Sequence, residues 1–207
     1  MLANVSHELR TPLSRLRLTA ELLKEVADPK RKADLEKDVT EIDALIEQIL
    51  LSSRLDAVRA LDVREDVDLL ALAAEESARC TESDITGEPV IVQGDPTLLR
   101  RMIRNLIENA QQHGSPPVEV RVRRDGDRAV LTVSDGGDGI PAGERERVFA
   151  PFYRTRGTRS QGSGLGLALV RQIARQHGGE AGAAATRPSI IEVTLPVDTC
   201  DARPADA

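Results

Sequence analysis

The sequence predicts an α+β protein of two domains, a helical hairpin over residues 1–58 and an α/β domain over residues 68–198. Apolar residues of the first part recur every three or four positions, which is the period of a helix that packs on other helices. From residue 68 onward, helical segments alternate with short strand-like segments, as in mixed α/β domains. The 207 residues are 40% hydrophobic and 30% charged, so the chain can bury a core. Because its net charge is −6, we expect no direct nucleic-acid partner.

The first domain contains two apolar series that predict two helices. One series spans residues 2–23 and the other spans residues 35–53, and Pro29 between them cannot continue a helix. Two helices cannot bury two long apolar seams alone. We therefore expect a homodimer that forms a four-helix bundle through residues 1–58. The alternative is a hairpin that packs within one chain on the α/β domain.

Helix-capping residues, the alternation of apolar and polar residues, and glycines in turns predict the remaining elements. Residues 59–67 are charged and lack a strong period, so we predict a linker there. Asp95 and Pro96 are favoured at the N-cap and the first position of a helix, and Asp125-Gly126 is a hairpin turn between two alternating segments. The predicted elements are a helix over 69–80, a strand over 89–92, a helix from 96 to about 113, strands over 118–123 and 129–134, a long functional loop over 136–164, a helix over 165–177, a strand over 190–195 and a flexible tail over 199–207.

All three aromatic residues of the chain, Phe149, Phe152 and Tyr153, fall in one five-residue stretch. The core must therefore be aliphatic. We interpret the stretch as the hinge and hydrophobic anchor of a mobile lid over a bound ligand. The arginines that follow are candidates to contact phosphates, or else they are solvated loop charges. They are Arg154, Arg156 and Arg159.

The string SHELRTPL, residues 6–13, contains a candidate nucleophile. On a helix His7 and Thr11 share a face, and Glu8 is adjacent to the histidine. A neutral imidazole can attack phosphorus if another group accepts the proton of its other nitrogen, and Glu8 is placed to do so. Pro12 removes a helical hydrogen bond and should bend the helix, which would change the reach of the imidazole. The alternative is an exposed histidine on a bundle surface.

Two asparagines one helical turn apart, Asn105 and Asn109, present two amides along one stripe of a predicted helix. Amide oxygens are neutral ligands that suit Mg²⁺ when water and substrate phosphates hold most of its shell. Asparagine is a poor helix former, so two of them in the middle of a helix indicate a site. A single one could be a solvent-facing accident.

Two glycine-rich segments complete the candidate site. The first, residues 135–140, directly follows a strand, and Asp135 can accept a hydrogen bond from an exocyclic amine such as that of adenine. Its glycines allow close approach of the backbone, although an ordinary turn is the alternative. The second, residues 162–167, leads into a helix whose N-terminus could cradle phosphate. It matches neither a Rossmann fingerprint nor a P-loop.

Taken in order, these segments resemble the motifs of the bacterial two-component sensor histidine kinases. SHELRTPL resembles the H box, NLIENA the N box, DGGDGI the first glycine box, FAPFYR the F box and GSGLGL the second glycine box, and the resemblance covers roughly residues 1–198. It implies a dimerisation and phosphotransfer hairpin followed by an α/β sandwich of the Bergerat ATP-binding type. It also implies ATP and Mg²⁺ as cofactors and the receiver domain of a response regulator as partner.

The resemblance assigns a role to each matching residue. His7 would be phosphorylated, Glu8 would accept its proton, and Thr11 would position water in a phosphatase reaction on the phosphorylated regulator. Asn109 would bind Mg²⁺, supported by Asn105. The other nucleotide-site residues would be Gln112, His113, Asp135, Gly137, Gly139, Ile140, Phe149, Tyr153, Arg154, Gly162, Ser163, Gly164, Leu165, Gly166 and Leu167.

The sequence departs from the family pattern in a few places. Gln112 stands where the family usually has a cation, which would weaken phosphate contacts unless a lid arginine replaces it. Gly136 and Asp138 stand where Asn and Pro are commonest. Because the chain starts six residues before His7, we expect a cytoplasmic core whose full-length protein is anchored in the bacterial inner membrane. The rival interpretations are a Bergerat-fold ATPase without phosphotransfer and a pseudokinase scaffold that recruits a regulator.

Overall fold

The computed structural model describes residues 46, 63–79, 83–153, 164–184 and 188–197. The chain divides into two compact units, Met1–Ala57 and Val58–Ala207. In the first unit only Ile46 is described, and it is helical. The rest of the predicted hairpin over residues 1–58 lies outside the described residues, as does the whole predicted tail over 199–207.

The described part of the second unit contains three helices, one 3₁₀ turn and seven strands. The elements are β1 Glu65–Asp68, α1 Leu69–Ser77, β2 Ser83–Gly87, β3 Ile91–Gly94, α2 Pro96–His113, β4 Val118–Asp125, β5 Arg128–Asp135, the 3₁₀ turn Arg147–Phe149, α3 Gly166–Gln176, β6 Glu180–Ala183 and β7 Ser189–Pro196. Five strands form one sheet in the order β2-β4-β5-β7-β6, in which only β2 and β4 are parallel, and β1 and β3 form a separate antiparallel pair. None of the described helices is long and apolar enough to cross a membrane.

One face of the sheet is apolar and carries the helices. Along β4, Val118, Val120 and Val122 are buried and the residues between them are exposed, the alternation of a strand covered on one side. The helices α1 and α2 pack on β4, and α3 packs on β6 and β7. The largest fully buried side chains are aliphatic apart from Met102 and Glu76. The predicted α+β class and aliphatic core are therefore confirmed.

Helix α2 begins and ends where its sequence predicts. Oδ1 of Asp95 accepts hydrogen bonds from the backbone N–H groups of Thr97 at 2.8 Å and Leu98 at 3.2 Å, and Pro96 occupies the first position. The helix stops before Gly114, whose backbone is extended. Its apolar stripe is buried, so the opposite stripe is available for a site.

The sequence does not predict β1, β2 or β6. Strand β1 starts at Glu65, inside the interval 59–67 predicted as a linker, and that prediction is wrong from this residue onward. Strand β3 occupies residues 91–94 and not 89–92, and α1 ends at Ser77, earlier than predicted. The missed strands are short and rich in polar or small residues. Pairing with neighbouring strands stabilises them, and no apolar alternation of their own reveals them.

A buried carboxylate joins α1 to α2. Glu76 is 1% exposed and accepts hydrogen bonds from Nη1 of Arg100 at 2.9 Å and from Nε of Arg104 at 2.7 Å. Burial opposes ionisation of this carboxyl, but the hydrogen bonds from Arg104 and Arg100 outweigh it and lower the pKa of Glu76. The ion pairs therefore fix α2, which carries both candidate asparagines, against α1.

Candidate functional site

Asp135 is the last residue of β5, and Gly114 and Gly137 lie close against its side chain. The side chain is buried, and its Oδ1 accepts a hydrogen bond from the N–H of Gly137 at 2.8 Å. A Cβ at Gly114 would lie 2.2 Å from Cγ of Asp135, and a Cβ at Gly137 would lie 2.6 Å from its Oδ1. Both contacts are closer than real Cβ atoms allow. The two glycines therefore let the carboxylate keep its position at the end of α2.

Asn105 and Asn109 lie on α2 one turn apart, as predicted. Asn105 is 4% exposed, and its Nδ2 has no hydrogen-bond partner in the described part of the chain. An unpaired buried amide costs about 1–3 kcal/mol, and such groups are usually explained by a missing ligand or water. Asn109 is half-buried. A buried donor without an acceptor on α2, together with the carboxylate of Asp135 beyond the C-terminal end of that helix, fits a ligand that carries both phosphate oxygens and an amine.

Four other predicted nucleotide-site residues, Gln112, His113, Gly139 and Ile140, lie within the described ranges near the end of α2 and after β5. Gln112 and His113 are exposed in the last turn of α2. Gly139 has a φ of +78°, a conformation that favours glycine. Ile140 is half-buried, and its carbonyl accepts a hydrogen bond from Nε of Arg145 at 3.1 Å. Their roles toward a nucleotide stay predictions.

The aromatic stretch is divided between the core and the surface. Phe149 is buried, and Tyr153 is half-buried beneath the guanidinium of Arg147, whose Cζ lies 4.7 Å from the ring centre. Phe152 is 65% exposed and has a φ of +62°, which is rare for an aromatic residue. The interpretation of the stretch as a hydrophobic anchor therefore holds for Phe149 and is wrong for Phe152.

The segment that carries these aromatics is joined to the second glycine motif. The N–H of Phe152 donates to the carbonyl of Gly164 at 3.0 Å. Gly164 has a φ of +69°, and a Cβ there would lie 2.8 Å from the carbonyl oxygen of Tyr153. A residue with a side chain at position 164 would therefore disrupt the contact between the aromatic segment and the second glycine motif.

Helix α3 starts immediately after that junction. It begins at Gly166, and its N-cap residue, Leu165, provides no side-chain hydrogen bond to the first N–H groups. Such a helix end can accept an anion through its backbone. Leu165 and Leu167 are buried, so we expect them to fix the start of the helix by packing. Any contact that they make with a ligand would come from the main chain.

Sequence reasoning missed Arg171, a residue of α3 whose guanidinium contacts the aromatic segment, Glu146 and strand β6. Its Cζ lies 3.9 Å from the ring centre of Phe149, and its Nη1 lies 2.8 Å from Oε2 of Glu146. Its Nε and Nη2 both donate to the carbonyl of Ala181, at 3.1 and 2.9 Å. One guanidinium thus ties the aromatic segment and the edge strand β6 to the helix that begins at the second glycine motif. An arginine on a helix carries no sequence signal for this role.

Sequence reasoning also missed His177, which links the ends of α2 and α3. Its Nε2 accepts a hydrogen bond from the N–H of Asp95 at 3.1 Å, and its Nδ1 lies 2.8 Å from the carbonyl of Ile173. A Cβ at Gly94 would lie 2.4 Å from the imidazole. Burial lowers the pKa of His177, so the ring is neutral at pH 7 with its proton on Nδ1. The only signal is a histidine followed by two glycines at a helix end.

The residues predicted to carry the phosphoryl group lie outside the described residues. So do several residues predicted on the phosphate side, and the structure adds nothing to their positions. They are His7, Glu8, Thr11, Arg154, Arg156, Arg159, Gly162 and Ser163.

Comparison with known proteins covers both domains. Residues 1–58 match the family described as the His Kinase A (phospho-acceptor) domain, and residues 94–199 match the family described as Histidine kinase-, DNA gyrase B-, and HSP90-like ATPase. The sensor histidine kinase CpxA of Escherichia coli (strain K12) is 34% identical over 192 residues, which cover 86% of this chain and 42% of that protein. The chain therefore spans about two fifths of the length of this relative.

Two solved structures are similar to the chain. The mycobacterial sensor histidine kinase MprB is 34% identical with a TM-score of 0.57, and the match covers 65% of this chain and 98% of that one. Full-length ShkA, solved in complex with AMPPNP, is 25% identical with a TM-score of 0.76, and the match covers 95% of this chain and 45% of that one. These similarities confirm the Bergerat-type fold. The chain belongs to the two-component sensor histidine kinases, protein kinases that transfer phosphate from ATP, and it contains their phospho-acceptor and ATPase domains.

Proposed function

We propose that this chain binds ATP in its α/β domain, phosphorylates its own His7 and passes the phosphoryl group to an aspartate of a response regulator. The observation that carries the ATP-binding step is the buried amide of Asn105 on α2, unpaired within the described residues, with the carboxylate of Asp135 beyond the C-terminal end of the same helix. A donor, an acceptor and the N-terminus of α3 together match the groups of a nucleotide. The complex of ShkA with AMPPNP supports the same choice of ligand.

Each part of the pocket would hold one part of ATP. Asp135 would accept from the exocyclic amine of adenine, and the N-terminus of α3 at Gly166 would donate to phosphate oxygens. Asn109, supported by Asn105, would provide an amide oxygen to Mg²⁺. The metal would neutralise charge on the phosphates. The burial of Asn105 and Asp135 and the membership of the family support these roles.

The phosphoryl transfer would be a single in-line displacement. A nitrogen of the His7 imidazole attacks the γ-phosphorus, the bond from that phosphorus to the bridging oxygen breaks, and ADP leaves with the electron pair. Glu8 accepts the proton of the other ring nitrogen. The phosphohistidine then donates its phosphoryl group to a carboxylate oxygen of the regulator, which restores the imidazole.

Incubation with γ-labelled ATP and Mg²⁺ tests the proposal. The wild-type chain should gain acid-labile label, and the His7→Gln variant should gain none. Asp135→Asn should lose nucleotide binding, because an amide presents an N–H to the amine of adenine. If His7→Gln became labelled like the wild type, the assignment would be wrong. Turnover of ATP without labelling of either chain would favour the rival ATPase without phosphotransfer.

We propose three further properties at the level of the whole protein. The chain would form a homodimer through residues 1–58. It would also dephosphorylate the regulator, with Thr11 positioning the water. Thr11→Ala should keep autophosphorylation and lose regulator dephosphorylation, and equal loss of both would contradict that role. The reaction would take place in the cytoplasm, with membrane anchoring supplied by sequence beyond these 207 residues.

A further inference from the structure

A second unpaired donor lies one helical turn before Asn105. Nε of Arg101 is buried and has no hydrogen-bond partner in the described part of the chain, as is also true of Nδ2 of Asn105. Residues four positions apart on a helix lie on the same face, so the two donors belong to one stripe of α2. Two neighbouring donors without acceptors indicate an oxygen-rich ligand for that stripe.

Arg101 makes no ion pair with another of the described residues. It lies between Arg100 and Arg104 in sequence, and both of these bind Glu76 on α1, but it shares none of their contacts. The other half-buried arginines of the described ranges all donate to a carboxylate or a carbonyl oxygen. These are Arg100 and Arg104 to Glu76, Arg145 to Ile140, and Arg171 to Ala181.

The direction of α2 shows which part of a nucleotide would reach this arginine. Asp135 adjoins Gly114 just beyond the C-terminal end of the helix, so under the proposed function the adenine lies there. Asn109, Asn105 and Arg101 follow toward the N-terminus, each about 6 Å further along the axis. A nucleotide laid along this stripe carries its terminal phosphate toward the arginine.

We propose that Arg101 binds the terminal phosphate of ATP. The inference rests on the proposed function, since it assumes that adenine binds at Asp135. A guanidinium donates charge-assisted hydrogen bonds to phosphate oxygens and keeps its charge at any physiological pH. Because ADP lacks the third phosphate, Arg101 contributes to the affinity for ATP and little to the affinity for ADP.

Calorimetric titration of the 207-residue chain with Mg²⁺ and either AMPPNP or ADP tests this role. We expect Arg101→Gln to weaken AMPPNP binding about tenfold or more, the loss typical of one hydrogen bond to a charged group. ADP binding should change less than about twofold. Arg101→Lys keeps the charge but loses the planar fork, so its AMPPNP affinity should fall between those of the wild type and the glutamine variant. The matched control is Arg121→Gln, which removes one charge from the exposed face of β4 and should change neither affinity.

Equal weakening of AMPPNP and ADP in Arg101→Gln would overturn the proposal, because it would indicate general damage to the site. Unchanged affinity for both would overturn it as well. If the glutamine variant does not fold, an unchanged preference for AMPPNP over ADP in Arg101→Lys would count against the proposal in the same way. A wild-type chain that binds neither nucleotide would refute the proposed function itself.

Discussion

Replacement of Asn105 by leucine should make the protein more stable and remove its ability to bind nucleotide. In the wild type, Nδ2 of this side chain is buried without a partner, which costs about 1–3 kcal/mol. Leucine is close to asparagine in size, has no polar atom to bury, and is the better helix former by a few tenths of a kcal/mol. The free energy of unfolding without nucleotide should therefore rise by about 1–2 kcal/mol, which corresponds to roughly 3–8 °C in Tm for a unit of this size.

Thermal melts of the 207-residue chain, with and without AMPPNP and Mg²⁺, measure both effects. The wild type should be stabilised by the nucleotide, since a ligand that binds only the folded state raises Tm. Asn105→Leu should melt higher without nucleotide and show no further increase with it. Thr97→Leu, at an exposed position in the first turn of the same helix, is the control for adding a leucine outside the site. A lower Tm for Asn105→Leu, or a Tm that nucleotide still raises, would refute the reasoning.

Three other predictions concern the contacts around the site. Gly114→Ala should weaken AMPPNP binding by calorimetry at least tenfold, because its Cβ would lie 2.2 Å from Cγ of Asp135; unchanged affinity would contradict the close contact. Glu76→Gln should lower the free energy of unfolding in urea by about 2–3 kcal/mol, since two arginines lose their buried counter-charge, and a loss below about 0.5 kcal/mol would show that the ion pairs contribute little. Stability should fall as the pH is lowered from 7 to 5: His177 has a lowered pKa when folded, so the unfolded chain binds more protons below the ordinary histidine value of about 6.5. Urea titrations at each pH measure this loss, and His177→Gln should flatten it.

The parts of the fold that the sequence predicts well are those with strong local signals. Asp95 and Pro96 define the start of α2, and the alternation on either side of Asp125-Gly126 defines the central hairpin. For α2 and for the β4–β5 hairpin, the residues that specify the structure lie in the same short stretch of sequence as the structure itself. Strands β1, β2 and β6 differ, because neighbouring strands stabilise them and their own residues carry no alternation.

In the site, too, local motifs predict some residues, while others depend on partners that are distant in sequence. The motifs identify Asn105, Asn109 and Asp135, since these residues are unusual at their positions in a helix or after a strand. The need for glycine at position 114 depends on a carboxylate 21 residues later in the chain, which no local pattern reveals. The same holds for Arg171, whose partners come from the aromatic segment and from β6.

The most direct test of the central claim is to locate the phosphoryl group after incubation with ATP and Mg²⁺. Phosphopeptide mapping under neutral conditions, which preserve a phosphorus–nitrogen bond, would identify the modified residue. We predict one modified residue, His7, and no modified peptide when Asn109 is replaced by alanine. Phosphate on a serine or threonine, or no modification of a chain that binds the nucleotide, would contradict the account.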